Sequence, residues 1–173
     1  MNRKLNMLLF TILMLLIDSS YASWETSTSK DKMTEEKISY ANSSLTVTTE
    51  KMGFPYSDVK AWLGVGCDGT DEWAYVGFNR APNLSNTDTK DGYSLINTRI
   101  KWDNNLDYVN FSQDWGAKFI HFRNEKSAIS GIIESNFVLL ELDWHGQGKT
   151  YFKFSLKGSS TALKAIRSSC AKY

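Results

Sequence analysis

Two cysteines, Cys67 and Cys170, are the only ones in this chain of 173 residues. They constrain the fold more than any other feature. Cys67 ends the apolar run AWLGVGC, and Cys170 closes a segment, TYFKFSLKGSSTALKAIRSSC, that reads as an aromatic strand, a tight turn and a helix. In an oxidising compartment such a pair is most simply one disulfide. It would close a loop on the order of 100 residues and contribute up to about 4–5 kcal/mol by chain entropy. The alternative is two buried thiols. A redox pair is disfavoured, since no C-x-x-C motif is present.

The compartment is read from the N-terminus. Arg3 and Lys4 precede the apolar run Leu5 to Ile17, and Ser20-Tyr21-Ala22 places small residues where a signal peptidase reads. The apolar run falls short of the roughly 20 residues of a membrane span. Residues 1–22 are therefore expected to be a signal peptide cleaved after Ala22, with an uncleaved anchor as the alternative. Residues 23–173 form one exported domain, periplasmic or secreted, with no membrane insertion after cleavage. Loss of Arg3, Lys4 and Asp18 leaves this domain near neutrality, and lysines alternate with acids as in KDKMTEEK. Phosphate binding needs clustered positive charge, so nucleic acid is not an expected partner.

The chain alternates short apolar runs with turn signals. Trp24 to Glu36 lacks apolar periodicity and reads as an extended or loosely ordered lead-in. Ile38 and Tyr40, then Leu45 and Val47, alternate with polar residues as half-buried strands do. Ala61 to Cys67 places Trp62, Gly64 and Gly66 on one face and Leu63, Val65 and Cys67 on the other. Asp68-Gly69 favours a hairpin turn, and Glu72 to Phe78 returns with Trp73, Tyr75 and Gly77 on one side. Asn79 to Gly92 is a long polar loop. Tyr93 to Trp102 is a strand with Ile96, Ile100 and Trp102 inward, followed by a turn at Asp103-Asn104-Asn105. Tyr108 to Phe111 and Lys118 to Phe122 are short strands.

Glu125 to Ser135 is a short helix with Gly131 inside it, which costs about 1 kcal/mol relative to alanine. Phe137 to Trp144 and Thr150 to Leu156 form a hairpin. Ser159 or Ser160 is a natural N-cap for the last helix, whose inward stripe is Ala162, Leu163, Ile166 and Cys170. The expected fold is α+β: a mostly antiparallel β-sheet or small sandwich of seven to nine strands, two short helices packed on it and one disulfide.

Certain of these residues resemble a known family. They are Trp24 with Lys32-Met33-Thr34-Glu35-Glu36-Lys37, then Leu63-Gly64-Val65-Gly66-Cys67-Asp68-Gly69, then Thr98-Arg99-Ile100-Lys101-Trp102-Asp103. The closing pattern is the most specific: Phe152-x-Phe154-x-Leu156-x-Gly158, then Ala162, Ile166 and Cys170 at four-residue steps. Together they resemble the VasI-type proteins associated with bacterial type VI secretion. The resemblance implies an exported protein of a family whose biochemical role is not established, and it supplies no catalytic residues to carry over.

Catalytic chemistry has little support in the residues. The two histidines, His121 and His145, would need Asp143 as a third metal ligand. The plainer reading puts His145 in a turn and His121 half-buried on a strand. No serine sits in a Gly-x-Ser-x-Gly elbow, and spacing selects no carboxylate pair for glycoside hydrolysis. Neither an enzyme nor a cofactor is expected.

The six tryptophans are a functional hint. Core packing accounts for most of them. One or two on the Cys67 hairpin could instead form a binding surface for protein or glycan, with Trp62, Trp73, Tyr75, Arg80 and Arg99 as candidate contacts. The expectation is an exported accessory or binding protein that meets a protein partner (a secretion component, an effector or a hydrolase) through the hairpin Trp62–Phe78 and the loop Asn79–Gly92. The alternative is an inhibitor or immunity protein against a cell-wall hydrolase or delivered toxin. A wall hydrolase is a third.

Overall fold

The computed structural model describes residues 24–170. The segment read as a signal peptide lies outside the described residues. Within them the chain forms β1 (Trp24–Lys30), β2 (Lys37–Ser43), β3 (Ala61–Cys67), β4 (Glu72–Phe78), β5 (Thr87–Thr89), β6 (Tyr93–Trp102), β7 (Asn105–Asp114), β8 (Phe119–Phe122), α1 (Glu125–Glu134), β9 (Phe137–Trp144), β10 (Gly148–Ser155) and α2 (Ser159–Cys170).

The α+β, mostly antiparallel reading holds; the ten described strands join in one large sheet, so the small sandwich is not borne out. Their order is β1-β2-β3-β4-β8-β7-β6-β9-β10, with β5 on β6. The sheet also returns on itself. Beyond β2 the chain bridges Thr46 to Ala61, at the start of β3, and Thr48 to Phe152 of β10. Thr49 N–H then donates to Tyr151 O at 2.8 Å. The last strand is thus tied back beside the third.

Most elements sit where their periodicity placed them, and the departures have local causes. The lead-in is strand β1, paired with β2 from Trp24↔Ser43 to Lys30↔Lys37. It lacks an apolar period because only Trp24 is buried. On β2 the buried residues are the small ones, Ser39, Ala41 and Ser43, while Ile38 and Tyr40 face the other way. Helix α2 packs against β1, β2 and β3, and small side chains leave room for it. Leu45 and Val47 are exposed. Strand β7 is longer than its apolar residues indicate, because it pairs with β6 from Tyr93↔Asp114 to Trp102↔Asn105. The loop Asn79–Gly92 is partly structured: Leu84 bridges Trp144, and Thr87–Thr89 pairs with β6.

The core lies on the face of the sheet that receives the helices. Leu63, Val65, Val76, Phe78, Phe111, Ile120, Leu140, Leu142, Trp144, Phe152 and Phe154 are buried there with Ile132, Leu163 and Ile166 of the helices. Gly131 within α1 has a packing role. A Cβ on it would meet the Trp102 indole at 2.8 Å, so glycine lets the helix approach β6. Ile96 and Ile100 are buried as expected, and Trp102 is half-buried against this cluster.

The serines expected to cap α2 serve the other helix. Ser159 Oγ donates to Ile132 O at 2.7 Å, and Ser160 Oγ donates to Ile133 O at 3.2 Å. Both acceptors lie in the last turn of α1, whose carbonyls lack intrahelical partners. The far end of α2 is fixed to the hairpin. Cys67 and Cys170 are joined with a Cα–Cα distance of 6.2 Å. One turn earlier, Arg167 donates in a fork to Glu72, Nε at 2.5 Å and Nη2 at 2.7 Å. Glu72 is the register partner of Cys67, so the staple and the ion pair grip the same rung.

Candidate functional site

The face of β3 and β4 opposite the core follows a simple pattern. On β3 it presents Trp62, Gly64 and Gly66; on β4 it presents Gly77, Tyr75 and Trp73. The register pairs Trp62 with Gly77, Tyr75 with Gly64, and Trp73 with Gly66. Each aromatic residue therefore stands across the ladder from a glycine and lays its ring over it. A Cβ on any of the three glycines would come within 3.0 Å of that ring. Glycine normally weakens a strand; here the missing side chain makes the bed for a ring.

Two further aromatics stand upright around these flat ones. Tyr40 on β2 meets Trp73 at 6.1 Å and 79°, and Tyr75 at 6.4 Å and 80°. Phe119 on β8 meets Trp62 at 5.9 Å and 87°, and Tyr75 at 5.6 Å and 79°. Edge-to-face contact is the favoured arrangement of two rings. The result is an open trough of about 400 Å³ lined by Ser27, Tyr40, Asn42, Trp62, Trp73, Tyr75, Phe119 and His121. Trp62 and Trp73 are half-buried and Phe119 is exposed, whereas Tyr75 is enclosed between its neighbours.

The electrostatics are those of a neutral site. None of the lining residues is Asp, Glu, Lys or Arg. Tyr75 Oη donates to Asn42 Oδ1 at 2.6 Å. Burial, with the neighbouring Tyr40 adding to it, pushes the Tyr75 phenol up to about 12. It therefore stays a hydroxyl and holds the Asn42 amide in one orientation. That leaves Asn42 Nδ2, a donor, directed away from Tyr75. His121 is exposed at the rim beside Tyr75, with ring centroids 6.1 Å apart.

Of the residues singled out in the sequence, Trp62, Trp73 and Tyr75 meet in this trough. Arg80 lies outside it and clamps the loop before β3: its Nη1 donates to Pro55 O and its Nη2 to Asp58 Oδ2, both at 2.7 Å. Arg99 lies elsewhere on the sheet, where it forks onto Glu141, and Lys149 reaches the same carboxylate at 3.3 Å. They border a separate cavity of about 310 Å³ that also touches Leu84 and Asn86. The loop Asn79–Gly92 is thus near Arg99, and none of its residues lines the trough. His121 is in the trough, while His145 is exposed at the β9–β10 turn. Among the described residues no three His, Cys, Asp or Glu side chains are grouped to hold a metal.

Sequence reading missed Ser27, Tyr40, Asn42 and Phe119, and weighed His121 only as a metal ligand. A faint signal existed, since Phe119 and His121 share a strand face by alternation. What brings them in is pairing between strands far apart in sequence: Tyr75↔His121 and Gly77↔Phe119 between β4 and β8, and Tyr40↔Gly66 between β2 and β3.

Comparison of the chain with protein-family models, with curated proteins and with solved structures found no match in any of the three. The trough is therefore read on its own chemistry. Its aromatic faces, polar rim and lack of charge equip it to hold a ligand by stacking and neutral hydrogen bonds. Among the described residues no helix is long and apolar enough to cross a membrane.

Proposed function

We propose that this chain is an exported, non-enzymatic binding protein that acts in the periplasm or outside the cell and recognises its target through the aromatic trough. The observation that carries this reading is the ring-on-glycine pattern. Three aromatics are laid over three glycines on a solvent-facing sheet face, although rings of this size ordinarily go to a core. Rings held at a surface with polar tips around them are typical of recognition sites. The disulfide supports export, because such bonds persist in oxidising compartments. So does the signal-like N-terminus. In the setting implied by the resemblance to VasI-type proteins, the target belongs to the bacterial envelope: a secretion component, an effector, a hydrolase or the wall itself. Inhibition of a wall hydrolase would use the same trough.

The test is retention on isolated cell envelopes. The oxidised protein should sediment with envelopes of its own host, and Trp62→Ala/Trp73→Ala should stay in the supernatant while keeping its far-UV spectrum. Equal sedimentation of the two proteins would refute the assignment of the surface.

A further inference from the structure

The trough's geometry narrows the chemistry of what it holds. Its two accessible flat rings, Trp73 and Trp62, mark its ends. Trp73 is the register partner of Gly66, and Trp62 lies beside Gly77, four residues further along β4. At the rise of an antiparallel strand this separates the two platforms by roughly 13 Å. Between them Tyr75 is enclosed, and Tyr40 and Phe119 stand perpendicular to the floor. A ligand that uses both platforms is elongated and must present a flat face at each end.

Three properties of the lining select among elongated ligands. The lining carries no Asp, Glu, Lys or Arg, so a polyanion or a basic peptide finds no counter-charge. The electron-rich face of an indole attracts weakly positive C–H groups, and one face of a hexopyranose ring is a set of such groups. The polar side chains at the rim offer hydrogen bonds: Asn42 Nδ2 donates, the Ser27 hydroxyl both donates and accepts, and the His121 ring nitrogens add a further polar group. Sugar hydroxyls likewise donate and accept. A proline-rich strand also docks on aromatic grooves, but each proline removes a donor from it, which leaves the rim's acceptors without partners.

We infer that the trough is a binding site for an uncharged saccharide chain, with one hexopyranose ring stacked on Trp73, another on Trp62, and hydroxyls between them bonded to Asn42 and His121. This rests on the proposal that the trough is the working surface, and adds the class of ligand.

The experiment uses the exported, disulfide-bonded protein and a panel of neutral oligosaccharides: the cello-, xylo-, manno-, malto- and N-acetylchito- series, one to six rings each. Binding is read by titration calorimetry and from the indole N–H signals in NMR spectra. At least one series should move the signals of Trp62 and Trp73, with affinity rising from one ring to about three, the length set by the platform spacing. Trp73→Ala should weaken that binding at least tenfold. His121→Ala, a change at an exposed rim position that leaves the floor intact, should weaken it severalfold. Tyr108→Ala removes an exposed aromatic outside the trough and should leave the affinity unchanged.

The inference is overturned if no series moves the two indole signals. It is equally overturned if binding survives in Trp62→Ala/Trp73→Ala, or if a proline-rich peptide or a second copy of the chain occupies the trough in place of sugar. Envelope retention that depends on the trough, with the whole panel silent, would remove the saccharide and leave the binding-protein reading standing.

Discussion

Replacing Gly66 by alanine should destabilise the protein only while Trp73 is present. The Cβ would enter the space of the Trp73 indole, whose atoms are the nearest to that position, and the ring would have to swing off the floor. The face it lays on β3 amounts to roughly 60–100 Å² of a side chain that can bury 150–250 Å². At about 25 cal/mol per Å² its loss costs about 1.5–2.5 kcal/mol. Alanine returns about 0.5–1 kcal/mol through lower unfolded-chain entropy, so Gly66→Ala should cost about 0.5–2 kcal/mol net. In a Trp73→Ala background the obstructing ring is gone. The same substitution should then stabilise by about 0.5–1 kcal/mol. The assay is urea unfolding of the four proteins of the cycle, with unchanged m values, so that midpoints report stability. The sign reversal is the diagnostic: a coupling of about 2 kcal/mol lies within the range seen for residues in contact. An equal cost of Gly66→Ala in both backgrounds would refute the ring-on-glycine account of the floor.

Further expectations concern the pin, the helices and the acid limb. Cys170→Ser, or reduction of the parent, should lower stability by up to about 4–5 kcal/mol for a closed loop of about 100 residues; a melting temperature indifferent to reductant would contradict it. Ser159→Ala deprives a buried carbonyl of its donor and should cost about 1–3 kcal/mol, measured by denaturant midpoint, whereas Ser168→Ala on the exposed side of α2 should change little. The Arg99 fork holds the Glu141 carboxyl below its ordinary value, against the opposing effect of burial. Its stabilisation is therefore complete above the ordinary carboxylate range, about 4.3, and is lost as pH falls through the lowered folded value. Glu141→Gln should flatten the acid side of the stability–pH curve, and an unchanged curve would remove the pair from the account. Trp144 is wholly buried, and its indole N–H has no partner among the described residues. Trp144→Phe should therefore lie within about 1 kcal/mol of the parent, since relief of an orphan donor offsets lost packing; a larger loss in thermal unfolding would argue for a hidden partner.

Legibility in the sequence followed the range of the interactions. The β3–β4 hairpin was readable because Asp68-Gly69 and strict alternation are local, and both faces were assigned correctly. Strand β9, helix α1 and the inward stripe of α2 were readable for the same reason. The lead-in β1 was not, because its order comes from pairing with β2 and its exposed side chains carry no period. Ile38 and Tyr40 face away from the core because α2 claims the small-residue side of β2, a tertiary choice that outweighs hydrophobicity. The serines at the start of α2 fit a cap by type and position, yet their hydroxyls meet α1 in space. The trough was half-legible: its floor belongs to one hairpin, while its walls come from β2 and β8.

Cys67 and Gly66 are neighbours on one strand, pointing to opposite faces. The sulfur that fastens α2 is therefore set back to back with the bed on which Trp73 rests. This couples the binding face to the oxidation state of the two cysteines. Before oxidation the end of the hairpin keeps its packing against α2 and the Arg167–Glu72 fork but lacks the covalent tie, and the floor at its outer end has less behind it. Ligand affinity at the proposed trough should accordingly mature with the disulfide, the oxidised chain binding more tightly than the reduced one.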